Sequence, residues 1–358
     1  MKKLCFVLLL IAIPSVLLSQ NIPITDLGFQ GMELVYDMKF KEAESIFNEI
    51  IKREPQNGLG YFLKSVGYFW MCQKYPHNED TREKYKDITF KAIEVAEETL
   101  DRNENNIDAM FYLGGAYGNL GRYYIMEKSF LKAYWYGRKG KIYLKDVIEI
   151  NPKYYEAYAG LGIYHYYAAE LPKIIKIFSF ILGIEGDKEL GLKELKSAVA
   201  NAKYTKSEAK FFLASIYSDI EKDYQKALTV MEELHQRYPN NSTIIMVLGK
   251  CNWELEKYEP AIKYFREMID KYPDDDRMKD FYNAYGYKLV KINHFDEAIR
   301  VFKKQVELFP NEANSYDSLG DGYKSTGKID LAAEQYKKAL KIDPNYEASR
   351  KKLEEIKR

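Results

Sequence analysis

Cysteine is scarce in this 358-residue chain, with three in all, at positions 5, 72 and 251. So few thiols exclude a disulfide-stapled miniature fold and a cysteine-rich zinc module. Cys72 and Cys251 read as small buried apolar residues. Charge of one sign is also lacking, since 54 basic residues face 53 acidic ones. A general nucleic-acid binder shows a basic excess or stripe, so no nucleic-acid partner is expected. Histidine is rare too, with four: His77, His165, His235 and His294. None belongs to a helical metal motif such as H-E-x-x-H. His165 takes an interhelix packing position and His294 a turn position. A phosphate-binding loop, a nucleophile elbow and a dinucleotide fingerprint are all missing. No enzyme, no cofactor and no metal site is expected.

Long apolar runs are confined to two places. The first is "MKKLCFVLLLIAIPSVLLSQ", residues 1–20. Lys2 and Lys3 precede the unbroken run Leu4 to Ile13, and Ser19 supplies a small residue near the end. The run is shorter than the ~20 apolar residues of a spanning helix. It reads as a secretory signal peptide, with the mature chain starting near Asn21 and the protein exported to the periplasm or outside. Cys5 opens the run rather than closing it, so it does not read as a lipidation site. The second run is "LPKIIKIFSFILGIEGDKELGL", residues 171–192. Leu171, Ile174, Ile175, Phe178, Ile181 and Leu182 share one helical face. Eleven residues reach only ~16 Å, too little to span a bilayer. This helix, 171–184, is expected to pack against its neighbours; contact with a membrane surface is the alternative.

Proline, though only eleven in number, marks a rhythm. Pro239, Pro273, Pro310 and Pro344 are spaced by 34, 37 and 34 residues. Before each lies the same pattern. In "NSYDSLGDGYKSTGKIDLAAEQYKKALKIDPNY", Tyr316, Leu319, Gly320 and Tyr323 line one helical face, and Ala332, Tyr336 and Ala339 line a second. Gly327 and Lys328 break the two, which makes an αα-hairpin. Gly286, Ala298 and Phe302 repeat the spacing, as do Gly249, Ala261 and Phe265. "FKEAESIFNEIIKREP" supplies an early copy. The period and the terminal proline resemble the tetratricopeptide repeat family. The resemblance implies an all-α fold, an α-solenoid of about eight hairpins, closed by "EASRKKLEEIKR" as a polar cap. Four segments follow: 1–20 as leader, 21–206 with long hairpins, 207–346 as a regular array and 347–358 as the cap.

The middle departs from the period. Pro55 to Pro152 spans 97 residues and Pro152 to Pro239 spans 87, where two plain repeats take about 68. Repeats two to four therefore carry lengthened helices or an inserted element. The stretch around "LPKIIKIFSFILGIEGDKELGLKEL" locally resembles the tetratricopeptide repeat protein 39 family, in the shape of its insertion.

In such repeats the first helices line a concave groove. Alignment on the Leu-Gly pairs brings Tyr61, Tyr68, Phe111, Ile163, Tyr166 and Tyr167 to that face. Phe211, Met246, Lys250, Trp253, Asn283 and Tyr287 follow, and Asp317 and Asp321 end it. The candidate partner-binding residues are Tyr61, Tyr68, Phe111, Tyr166, Phe211, Lys250, Trp253 and Tyr287. Rigid aromatics are common interface anchors. The expected function is a non-catalytic adaptor that holds an apolar or aromatic segment of a protein or peptide partner. The competing expectation is that the long insertions cover the aromatics as core. Lys250 and Asn283 do not complete a clamp for a C-terminal carboxylate. Asn240 and Asn241, each in a glycosylation sequon, are expected to be exposed, and "PDDDR" at Pro273 to Arg277 reads as a solvated linker.

Overall fold

The computed structural model describes residues 22–170, 186–273 and 275–356. Among them seventeen α-helices pair into eight hairpins and a terminal helix. The first two hairpins are α1 (Ile24–Tyr36) with α2 (Phe40–Arg53), and α3 (Leu59–Lys74) with α4 (Glu79–Arg102). The next two are α5 (Ile107–Met126) with α6 (Phe130–Ile150), and α7 (Glu156–Ala169) with α8 (Lys188–Asn201). Then come α9 (Lys206–Ser215, running on as a wider turn to Ile220) with α10 (Tyr224–Arg237), and α11 (Ser242–Glu254) with α12 (Tyr258–Lys271). The last are α13 (Met278–Lys291) with α14 (Phe295–Leu308), and α15 (Ala313–Ser325) with α16 (Ile329–Ile342), before α17 (Glu347–Ile356). The fold is all-α, of stacked helical hairpins, and the count of eight with a closing helix agrees with the periodicity.

The sequence sets these boundaries by capping. Asn78, Asn106, Asp187 and Asp223 each precede a helix, and each accepts a hydrogen bond from a backbone N–H three residues on. Such caps satisfy donors that a helix start leaves orphaned. Six hairpins turn through a residue with positive φ, from Met38 at 58° to Gly327 at 73°. Within the regular hairpins one close approach recurs. A Cβ on Gly31, Gly249, Gly286 or Gly320 would land in the ring of Phe47, Phe265, Phe302 or Tyr336, always sixteen residues later.

The excess length of the middle has two forms. In the second and third hairpins it lengthens helices: α4 has 24 residues, α5 20 and α6 21, while α2, α10, α12, α14 and α16 have 14. The long α5 and α6 approach backbone to backbone, and a Cβ on Gly140 would meet Gly114 O at 2.7 Å. In the fourth hairpin α8 keeps 14 residues. The extra length there falls in 171–185, so the helix expected at 171–184 lies outside the described residues, as does the leader 1–20.

The chain divides into two compact units. One comprises residues up to Cys72 and Asn78–Ile244, the other Gln73–His77 and residues from Ile245 onward. One boundary between the units falls near 244. The reason is that α9 and α10 pack back onto the start of their unit. Lys203 and Tyr204 bond Asp26 and the Thr25 carbonyl. Arg237 and Tyr238 donate to Glu33, and Asn240 and Asn241 to Asp37 and the Tyr36 carbonyl. The first hairpin therefore contacts the fifth, and the N-terminal unit closes on itself. A buried network ties its interior: Tyr85 donates to the Asn119 carbonyl, and Asn119 to Ser65.

Candidate functional site

Closure of the N-terminal unit decides the fate of its aromatic face. Trp70 on α3 meets Phe211 on α9 with ring centroids 4.5 Å apart. Tyr36 on α1 packs edge-on against Trp70 at 5.5 Å and lies 5.5 Å from Tyr238. Arg122 on α5 lies over Phe69 at 4.5 Å and Phe212 at 5.4 Å, and donates to Glu208 at 2.7 Å. Each of these rings is supplied by a first helix or by the turn before the next. The inner face has consumed its own aromatics.

The groove expected there is accordingly corrected. Phe111 is 7% exposed and Tyr166 is fully buried. Phe111 packs on Phe62 and Tyr154, and the Tyr166 hydroxyl donates to Glu221. Burial, then the Glu221 carboxylate, pushes that hydroxyl well above the ordinary tyrosine value. Tyr61, Tyr68 and Phe211 are half-buried. The Tyr68 hydroxyl donates to Glu44 and is pushed up to about 12 by burial and that carboxylate. Among the described residues, Phe111 and Tyr166 are covered by side chains of the neighbouring hairpins, Phe62, Tyr154 and Glu221.

In the C-terminal unit the first helices are α11, α13 and α15. Trp253 is also core, 8% exposed, packed on Tyr258 and roofed by the Lys288 ammonium 4.9 Å from its ring. Lys250 is half-buried at the middle of α11. Tyr287 on α13 stays 37% exposed. Its ring edge rests on Phe302 at 5.3 Å, and its hydroxyl donates to Asp321 on α15 at 2.6 Å. Asn283, one turn earlier, accepts from Ser318. Tyr287 is thus fixed at both ends with one face open.

The acidic end of this face is neutralised by the chain itself. Lys352 on α17 donates to Asp317 at 2.7 Å and to Asp321 at 2.6 Å. Tyr336 adds a bond to Asp321, and Ser349 one to Asp317. Burial works against the Lys352 charge, but the two carboxylates outweigh it and raise its pKa. The closing helix therefore takes the place of a next first helix. This clamp was not anticipated from sequence; its signal was a lysine in a helix read only as a polar cap.

Other expectations need amendment. Asn241 is 1% exposed, donates to the Tyr36 carbonyl and caps α11 through Ile244 N–H, so its amide is no accessible sequon. Asp275 in "PDDDR" is buried and accepts from the Arg277 guanidinium at 2.7 Å, so this linker is not simply solvated. His165 is a core residue, its Nδ1 2.7 Å from Glu194. Cys72 and Cys251 are buried, and burial pushes the Cys72 thiol up to about 12. Among the described residues no group of three His, Cys, Asp or Glu could hold a metal ion, and no helix is long and apolar enough to cross a membrane.

Comparison with known proteins agrees with this architecture. The tetratricopeptide repeat family matches at residues 220–285 and again at 313–346. Among curated proteins, the tetratricopeptide repeat domain-containing protein PYG7 of Arabidopsis thaliana is 28% identical over 33% of this chain and 39% of its own length. A TPR repeat-containing protein of Methanocaldococcus jannaschii is 22% identical over 87% of this chain and 41% of its own. The Hsp70-Hsp90 organizing protein of Triticum aestivum is 27% identical over 31% of this chain and 18% of its own. The chain spans less than two thirds of each of these relatives. Among solved structures, YrrB, described as a TPR protein with an unusual peptide-binding site, aligns with a TM-score of 0.40 at 18% identity, over 58% of this chain and 96% of that one. Residues 220–285 and 313–346 are tetratricopeptide repeats.

Proposed function

We propose that the chain is a non-catalytic protein-binding scaffold, exported to the cell envelope, and that its binding face lies on α11, α13 and α15. One observation carries this reading: Tyr287 presents an open aromatic face while Phe302 and Asp321 hold its ring and hydroxyl. A rigid, half-exposed tyrosine offers contact area at small entropic cost, as interface anchors do. The inner face of the N-terminal unit lacks such a residue among Phe111, Tyr166 and Trp70, all of them buried. The partner segment is apolar or aromatic, because Met246 and Tyr287 supply apolar surface and Lys352 already occupies the carboxylates.

A photo-crosslinking residue at Tyr287 tests this in the native host. The expected result is a defined protein adduct from position 287 and none from Lys263, which is exposed on the second helix α12. Equal labelling from both positions, or none from 287, overturns the assignment. Export is tested separately by intact mass of the native protein, which should lack residues 1–20.

A further inference from the structure

The third hairpin carries a surface that its packing does not use. Helix α6 buries Gly140, Leu144 and Val147 toward its neighbours. On its other side Leu131 is 74% exposed, Trp135 60% and Ile142 47%. These residues recur at spacings of four and seven, so they form one stripe ~16 Å long at 1.5 Å per residue. Phe130 and Ile125, both more than half exposed, extend it around the turn. The extra seven residues of α6 over a regular second helix amount to ~10 Å of added length. Charge follows the same pattern. Residues 128–145 hold Lys128, Lys132, Arg138, Lys139, Lys141 and Lys145 and no acid, in a chain otherwise balanced at 54 to 53. The acid just before them, Glu127, is already bonded to Arg82. Three of the lysines hold their ammonium groups over aromatic rings, Lys132 over Tyr124, Lys139 over Tyr117 and Lys141 over Tyr164.

We propose that this end of α6 is a membrane-interface contact that takes an anionic lipid surface. An interfacial helix needs an apolar stripe with Trp, Phe and Leu, flanked by Lys and Arg that reach headgroups. Trp is enriched at that depth. Each basic residue near an anionic surface strengthens binding about fivefold. A protein partner fits the composition less well. Lysine is depleted at protein interfaces, and five of the six cations here are lysines.

The three tryptophans make the test site-specific. Trp70 is 1% exposed and Trp253 8%, against 60% for Trp135. The full chain is mixed with vesicles of phosphatidylcholine alone, or with phosphatidylglycerol added, and with acyl-chain-brominated lipid. Binding to the anionic vesicles is expected, with a blue shift and bromine quenching that Trp135→Phe removes while binding persists. Leu131→Glu/Trp135→Glu should lower partitioning at least ~10-fold with an unchanged far-UV spectrum. Should that variant misfold, the quenching lost in Trp135→Phe still decides. Failure to bind anionic vesicles overturns the proposal. So does binding without Trp135 quenching, which places attachment elsewhere in the chain, or a protein captured through this stripe in lipid-free solution.

Discussion

The Arg122 guanidinium and the Glu208 carboxylate meet at 2.7 Å although 86 residues separate them. Both side chains are mostly buried, and Arg122 lies against the rings of Phe69 and Phe212. Removing one partner strands a charge in that interior. Glu208→Ala should therefore destabilise by about 3–5 kcal/mol, whereas Arg122→Met/Glu208→Leu should lie close to wild type. Denaturant unfolding of the two singles and the double decides it. Additive losses would show that the two charges are not coupled.

Tyr166 and Trp253, once candidate anchors, are core residues. Tyr166→Ala and Trp253→Ala should each cost about 3–5 kcal/mol of folding. Tyr287→Ala should cost far less, since over a third of its surface stays in solvent. Thermal melts beside partner titration separate the cases. A large stability loss at Tyr287 with normal affinity in the folded fraction would remove it from the binding face.

Local order was the readable part of this fold. The hairpins and the recurring spacing of Gly286, Ala298 and Phe302 lie within one repeat of sequence, and the repeat period supplied their count. The closure of the N-terminal unit was not readable, because it rests on pairs such as Glu33 with Arg237, 204 residues apart. No helical period reports which inner faces meet. That is why Phe211 read as groove and instead meets Trp70 of another first helix. The α6 stripe had a different obstacle. Its six cations were present in the sequence but vanished in a whole-chain balance near zero. Lys352 was hidden by position, since a cap is defined by its outer polarity and the clamp sits on its inner side.

Glu297 on α14 accepts from Arg266 at 2.9 Å and from Arg300 at 2.7 Å. Burial opposes its ionisation, but the bonds from Arg300 and Arg266 prevail and hold its pKa at about 2, below the ordinary 4.5. A depressed carboxyl stabilises the fold above its unfolded pKa and loses that contribution as pH falls through the folded one. The melting gap between wild type and Glu297→Gln should thus be widest near neutral pH and close between about 4.5 and 2. Both arginines are about half exposed, so the gap should also shrink with salt. A gap independent of pH would refute the assignment.

The turn from α11 to α12 places Glu256 at φ 58°, in the left-handed region. Its N–H donates to the Trp253 carbonyl at 2.9 Å, and the next N–H, from Lys257, to Asn252 at 2.9 Å, so the geometry is held by the turn itself. A side chain there costs roughly 1–2 kcal/mol relative to its right-handed state. Glycine removes that cost but loses more backbone entropy on folding, about 0.5–1 kcal/mol. The difference still favours glycine, which the homologous turn already uses at Gly327, with φ 73°. Glu256→Gly should therefore stabilise by about 0.5–1 kcal/mol, a rise of roughly 2–6 °C for a unit of about a hundred residues. Gly327→Ala should shift the melt in the opposite direction, because open space around its Cβ cannot relieve the backbone. If Glu256→Gly lowers the melting temperature, the exposed glutamate is making a contact worth more than the strain of its turn.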